Sequence, residues 1–147
     1  MKYWIIAVSE ENWYVIREKY VYGAPESKAR SPKELISVGD ILVFYVKKGG
    51  SRKLGGKFVG VFRVVSEWFK ENKPLWPDEV REGRVKYPWR VRLEPLRLSV
   101  ANFQELVPVL SFIRNKERAM AYLVGTPANL RRPLPEEDAK KIINALR

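Results

Sequence analysis

The apolar positions fall into short runs, and the spacing within each run changes along the chain. Residues 3–8 set Trp4, Ile5, Ile6 and Val8 in one nearly continuous stretch, the pattern of a buried strand. Ser9 then offers an N-cap, and Glu10 and Glu11 suit the positive end of a helix dipole. A helix over 10–19 places Trp13, Ile16 and Tyr20 on one side. Tyr22-Gly23-Ala24-Pro25 reads as a loop. Ser31-Pro32-Lys33-Glu34 combines an N-cap, a proline at the first helical position and a capping-box Glu. Only a short helical turn fits after it, because Gly39-Asp40 breaks the helix.

Ile41 to Lys47 is rich in β-formers, and Lys57 to Ser66 is its natural hairpin partner, with Val59, Val61 and Val64 toward the core. Alternation breaks after Val61, which predicts a bulge. The connecting segment 48–56 is glycine-rich and basic, a flexible hairpin loop. Residues 67–86 show no period and read as one long irregular loop. Trp68, Phe69 and Trp76 make it a functional loop rather than a disordered one. Tyr87 to Leu98 alternates through Trp89, Val91 and Leu93, as a strand does. Asn102 caps a short helix to about Leu106. Residues 111–124 fit neither period. Leu134-Pro135-Glu136-Glu137 opens a terminal helix with Ala139, Ile142, Ile143 and Leu146 on one face. Hairpin strands separated by short helices predict a small β-barrel decorated by helices, one domain over 1–147.

Composition narrows the chemistry. The chain of 147 residues is 46% hydrophobic and 31% charged, enough apolar surface for a core and too much for disorder. It has no histidine and no cysteine. Those two zeros exclude an imidazole base, a thiol nucleophile, a Cys/His zinc site and a disulfide. Only three aspartates occur, Asp40, Asp78 and Asp138, which is thin for a metal-dependent nuclease. No run of 18 apolar residues exists, so no membrane-spanning helix is expected. The N-terminal apolar run is short and acids come directly after it, so the chain is read as cytoplasmic. Absent cysteine, a single Gln (Gln104) and abundant Lys and Glu point to a thermophile.

The net charge of +11 predicts attraction to a polyanion, and its distribution sharpens the point. Between Asp40 and Glu67 there is no acid, but there are Lys47, Lys48, Arg52, Lys53, Lys57 and Arg63. A second basic stretch holds Arg81, Arg84, Lys86, Arg90, Arg92 and Arg97. A third holds Arg114, Lys116 and Arg118, with Arg131 and Arg132 beyond. The acids gather elsewhere. A solvated surface is the plain alternative, but segregated basic patches are the footprint of nucleic-acid binding.

No catalytic constellation stands out. Gly49-Gly50 and Gly55-Gly56 lack the strand–turn–helix setting of a phosphate-binding loop. The paired acids Glu10/Glu11 and Glu136/Glu137 sit at helix starts, where capping explains them. The aromatic supply is 5 Trp, 7 Tyr and 6 Phe, and most of it must be core, with Trp4, Phe44 and Phe62 in strands. Trp13, Tyr22, Trp68 and Trp76 lie at element ends or in loops, where rings can stack on a nucleobase. Asn12, Ser66 and backbone groups near Gly23 could bond its edge.

A series of fragments resembles the EVE domain family of the PUA-like superfamily. They are Tyr3-Trp4-Ile5, Ser9-Glu10-Glu11-Asn12-Trp13, Val21-Tyr22-Gly23, Val38 to Tyr45, Phe58 to Phe62, Val65-Ser66-Glu67, Tyr87 to Val91 and Leu110 to Ile113. Each is weak, but they keep the family's order over nearly the whole chain. The resemblance implies an α+β fold, a PUA-like β-barrel of five to six strands with flanking short helices, related to YTH and ASCH domains. It also implies a reader of modified bases in DNA or RNA. By the same resemblance Asn12 takes the place of an Asn that bonds a purine edge, and Tyr22 and Trp76 the places of two cage tryptophans. Tyr22 departs from the pattern, since Tyr offers a smaller face with a polar tip. Gly23 stands where a YTH domain has Ser, leaving only its backbone N–H. Ser66, Trp68 and Phe112 would be further pocket walls.

The combined expectation is a nucleic-acid-binding module without cofactor or metal, not an enzyme, monomeric, holding one flipped-out base. Asn12, Trp13, Tyr22, Gly23, Ser66, Trp68, Trp76 and Phe112 form its pocket. Lys47, Lys48, Arg52, Lys53, Arg81 and Arg84 hold phosphates. The competing expectations are an RNA-processing accessory that grips structured RNA without reading a modification, and a small-molecule sensor using the same rings.

Overall fold

The structure is a computed structural model, and it describes residues 1–26, 31–123 and 133–146. Arg131 and Arg132 of the third basic stretch lie outside the described residues. The elements run β1 (Tyr3–Val8), α1 (Glu10–Lys19), β2 (Val21–Ala24), α2 (Pro32–Leu35), β3 (Ile41–Val46) and β4 (Lys57–Val64). Then come β5 (Phe69–Lys70), α3 (Pro77–Glu82), β6 (Trp89–Asn102), α4 (Phe103–Leu106) and α5 (Glu136–Ala145). Short 3₁₀ turns cover Val107–Val109 and Lys116–Tyr122.

Local chemistry accounts for most boundaries. The Ser9 side chain accepts the Asn12 N–H at 3.3 Å and starts α1. Tyr20, in the left-handed region at φ 55°, ends it. The Asn102 side chain accepts the Gln104 N–H at 2.9 Å and starts α4. The bulge predicted after Val61 is present as a register shift between Val61 and Phe62, with a second between Phe58 and Gly60.

Three expectations needed correction. Residues 22–25 are not a loop: Val21–Ala24 pair antiparallel with Trp89–Arg92 as β2. Gly23 and Pro25 hide the strand in the sequence, and a partner some 70 residues away decides it. The segment 67–86 is not one loop, since it contains β5 and α3. Its helix carries an ordinary start signal, Pro77 with Asp78 and Glu79 in the first turn, and an ordinary stop, Gly83 at φ 68°. Ser31 opens α2 without a side-chain cap.

The strand order is β1-β3-β4-β6-β2, with β5 beside β6; β1 and β3 are parallel and the other pairs antiparallel. The sheet curls into a six-stranded half-barrel of the PUA-like kind. All six residues of β3 are buried. Leu42, Phe44 and Val46 face an inner cluster with Trp4, Trp13, Ile16 and Phe62, while Val43 and Tyr45 face an outer one with Phe58, Phe103 and Ile142. A central strand covered on both faces needs this continuous apolar run. Trp13 packs on Phe44 at 5.6 Å and Phe62 at 5.9 Å between ring centroids. Gly60 makes room for it: a Cβ there would lie 2.7 Å from the Trp13 ring.

Two of the three aspartates are structural anchors. Asp40 accepts the Lys2 N–H, the Trp4 Nε1–H and the Ser37 N–H, tying β1 to the start of β3. Asp138 accepts the Ser111 and Phe112 N–H groups, each at 2.9 Å, and docks α5. Among the described residues no helix is long and apolar enough to cross a membrane.

Candidate functional site

Strands β1 and β2 are the two ends of the strand order, so the half-barrel has an open seam between them. A cleft of about 650 Å³ lies along that seam. Ala7 and Val8 of β1 line one side and Tyr22 and Gly23 of β2 the other. Ser9 and, from α1, Glu11, Asn12 and Ile16 line it further, and Trp76, Asp78 and Tyr87 close the wall. The volume falls in the ordinary range for a small-molecule site.

Glu79 builds that wall. It is fully buried, and its carboxylate accepts the N–H groups of Leu75 (2.8 Å), Trp76 (3.2 Å), Lys86 (2.8 Å) and Tyr87 (3.0 Å). Arg90, also buried, stands at 3.5 Å as its counter-ion. One carboxylate thus binds the segment before α3 to the segment after it. The Trp76 ring is held edge-to-face by Tyr87 at 5.5 Å, with the Arg90 guanidinium 4.9 Å from its centroid. Its tip lies against Gly23, where any Cβ would overlap the ring. Only glycine permits this approach.

Next to Trp76, Asp78 accepts the Tyr87 hydroxyl at 2.6 Å and pairs with Lys86 at 3.4 Å. Burial would raise its carboxyl, but Tyr87, the Asn12 amide and Lys86 outweigh that and hold it below the usual aspartate range. The Tyr87 hydroxyl is pushed up by burial and by Asp78, and Tyr22 by burial. An ionised carboxylate can only accept, so Asn12 turns its NH₂ to Asp78. Its Oδ1 is then left over: it is buried, with no hydrogen-bond partner among the described residues. A buried orphan acceptor is costly and calls for a reason.

The cleft brings together four of the eight expected pocket residues, Asn12, Tyr22, Gly23 and Trp76, and two of the expected phosphate contacts, Lys47 and Arg81. The other four pocket residues lie elsewhere. Trp13 is core. Trp68 donates its Nε1–H to the Ile36 carbonyl at 2.8 Å and packs its ring 6.2 Å from Tyr22. The Ser66 hydroxyl accepts the Arg92 N–H at 2.8 Å and donates to the Glu67 carbonyl at 3.0 Å. Phe112 belongs to the outer cluster, against Tyr122. Neither Tyr22 nor Trp76 shows an open face, at 8% and 2% exposure.

The cations divide as well. Arg81 is engaged in a two-pronged pair with Glu11 at 2.8 and 3.0 Å, which holds the Glu11 carboxyl low. Arg84 meets Glu82 at 3.4 Å. Lys48, Arg52 and Lys53 lie in the hairpin loop, whose backbone N–H groups at 52–54 all donate to Glu10. Sequence reasoning missed Asp78, Glu79, Tyr87 and Glu10 as shapers of the site. The Pro77 and Glu79 helix start was legible for Glu79, while Glu10 gave no signal beyond capping. Among the described residues no three carboxylates gather as a cation site.

Residues 2–145 match the family described as EVE domain. The UPF0310 protein of Saccharolobus solfataricus is 35% identical over 147 residues, covering 100% of this chain and 96% of its own length. Among solved structures, the Mmi1 YTH domain in complex with RNA superposes with a TM-score of 0.63 at 13% identity, over 99% of this chain and 77% of that one. The Pho92 YTH domain in complex with m6A gives 0.61 at 17% identity, over 99% and 82%. These structures share the fold.

Proposed function

The chain belongs to the EVE domain family, and on that premise we propose that it is a nucleic-acid-binding module that takes one base, bearing a modification, into the seam cleft. The observation that carries this reading is the orphan Asn12 Oδ1 in a cleft walled by Tyr22 and Trp76. A base supplies the missing donor from an amino or ring N–H, and it stacks on Tyr22 or Trp76 only once one of those rings uncovers a face. The YTH neighbours, solved with RNA and with m6A, support a fold suited to that task. We read the module as one that binds its ligand without transforming it, because the chain has neither an imidazole nor a thiol to serve as base or nucleophile.

The coverage of both rings favours a second reading, a module that grips RNA by shape and leaves the cleft to another ligand. Fluorescence anisotropy separates the two. Matched RNA and DNA oligonucleotides, bare or carrying N6-methyladenine, 5-methylcytosine or 5-hydroxymethylcytosine, are titrated at two salt concentrations. A modification-dependent gain that survives higher salt supports base reading. Trp76→Ala then lowers the base-dependent part by about 1–3 kcal/mol. Equal, salt-sensitive binding to every oligonucleotide supports the second reading.

A further inference from the structure

The charged groups lining the cleft are Glu11, Glu26, Asp78 and Glu82 against Lys47, Arg81 and Lys86. The acids outnumber the bases, so the cleft itself is a poor seat for phosphate. A ligand that belongs to a polyanion must leave its phosphates outside, on the lips. On the β1 side Lys47 stands at the lip. On the β2 side the exposed Glu26 and the buried Pro32 line the cleft, and beyond them sits an arrangement that the sequence did not reveal.

Trp89, half-buried at the start of β6, is its centre. The Lys33 ammonium lies 4.0 Å from the Trp89 ring centroid, and the Lys70 ammonium lies 5.6 Å from it. The ring is tied to the lip, because its Nε1–H donates to Glu26 at 3.0 Å. Glu26 pairs with Lys70 at 3.5 Å, and among the described residues no carboxylate pairs with Lys33. Two ammoniums gathered by one ring, with one carboxylate between them, leave uncompensated positive charge in a fixed place. A cation over an indole face is held with less freedom than a solvated lysine, so less entropy is lost when an anion binds.

We propose that Lys33 and Lys70, positioned by Trp89, form a phosphate seat for the single-stranded backbone on the β2 side of the cleft. The strand runs across the mouth from Lys47 to this seat, with one base turned inward. The inference rests on the base-reading proposal for the cleft and adds where the flanking phosphate is held. A single strand fits better than a duplex, because a base that enters the seam must leave its stack.

The test uses the full chain, single-stranded RNA and DNA nonamers of one base composition, and the matching free nucleosides. Lys33→Ala with Lys70→Ala is compared with Lys140→Ala with Lys141→Ala, which removes the same charge from α5, on the outer cluster. Lys70 must first leave Glu26, so the double variant loses one to two phosphate contacts, flattens the log Kd against log salt slope by about 0.7–1.4 for single strands and weakens binding by up to about tenfold at low salt. The α5 pair keeps the wild-type slope, and nucleoside binding is unchanged in both. Trp89→Leu, which keeps both ammoniums, loses part of the same effect. Equal slopes for the two lysine pairs overturn the seat. Trp76→Ala keeps the two ideas apart. If it leaves base preference unchanged while the Lys33/Lys70 pair flattens the slope, the seat stands and base reading falls. If it removes base preference while the slope stays wild-type, base reading stands and the seat falls. RNA and DNA arms with different slopes assign the backbone the seat prefers.

Discussion

The hairpin loop between β3 and β4 and the segment around α3 carry three cations each, Lys48, Arg52 and Lys53 against Arg81, Arg84 and Lys86, but only the second interleaves them with acids. Each is held by one glutamate that accepts several backbone N–H groups. Glu10 takes three from Arg52, Lys53 and Leu54; Glu79 takes four and an arginine besides. Their cations differ. Around α3, Arg81, Lys86 and Arg90 already hold carboxylates, as does Arg84. In the hairpin loop no ion pair engages Lys48, Arg52 or Lys53 among the described residues. Net charge therefore says little about which cations a ligand can recruit. A bound carboxylate must first be displaced.

Removing Glu79 breaks this comparison hardest. Glu79→Ala strands a buried Arg90 and orphans four N–H groups, and costs about 3–5 kcal/mol, the usual loss on breaking a buried pair. Urea unfolding measures it; a loss under about 1 kcal/mol would show that water replaces the carboxylate without penalty. Binding sharpens the contrast next. Arg52→Ala with Lys53→Ala should weaken all oligonucleotides alike and flatten the salt slope, if the loop carries phosphate. Arg81→Ala with Arg84→Ala should do so less, since those cations are spent on Glu11 and Glu82. The reverse order would mean that ligand opens the α3 pairs. The smallest effect is on pH. The loop N–H groups hold the Glu10 carboxyl below the usual glutamate range. Its stabilising contribution is therefore complete above that range and fades as pH falls through the lowered value. The stability gap between wild type and Glu10→Gln should narrow in acid; a gap constant with pH would contradict the assignment.

Much of the fold was legible because each strand of the β3–β4 hairpin carries its own pattern, and helix ends carry their own caps. β2 was not, because a four-residue edge strand containing Gly23 is chosen by its partner. In the cleft, Asn12, Tyr22, Gly23 and Trp76 were named through a family resemblance, and the structure brings them to one place. Trp13, Ser66, Trp68 and Phe112 share the same residue types but point into other neighbourhoods. Ring chemistry alone cannot tell a wall from a core. In the wall's scaffold, Glu79 binds backbone only three to eight residues away, and its helix start was legible; Asn12 reaches Asp78 from a distant helix, and no local pattern announces that link.

One element spans the seam. Helix α1 leaves the end of β1 and delivers the chain to β2, so it connects the two end strands of the sheet directly. Ten residues at 1.5 Å each make it a strut of about 15 Å. Helix length therefore bears on how far apart β1 and β2 can stand, while the side chains between them shape and charge the cleft. Substitutions at the walls retune which ligand is preferred. A larger guest needs a longer strut, and an insertion or deletion of a whole turn in α1 is the change that alters the calibre of the site.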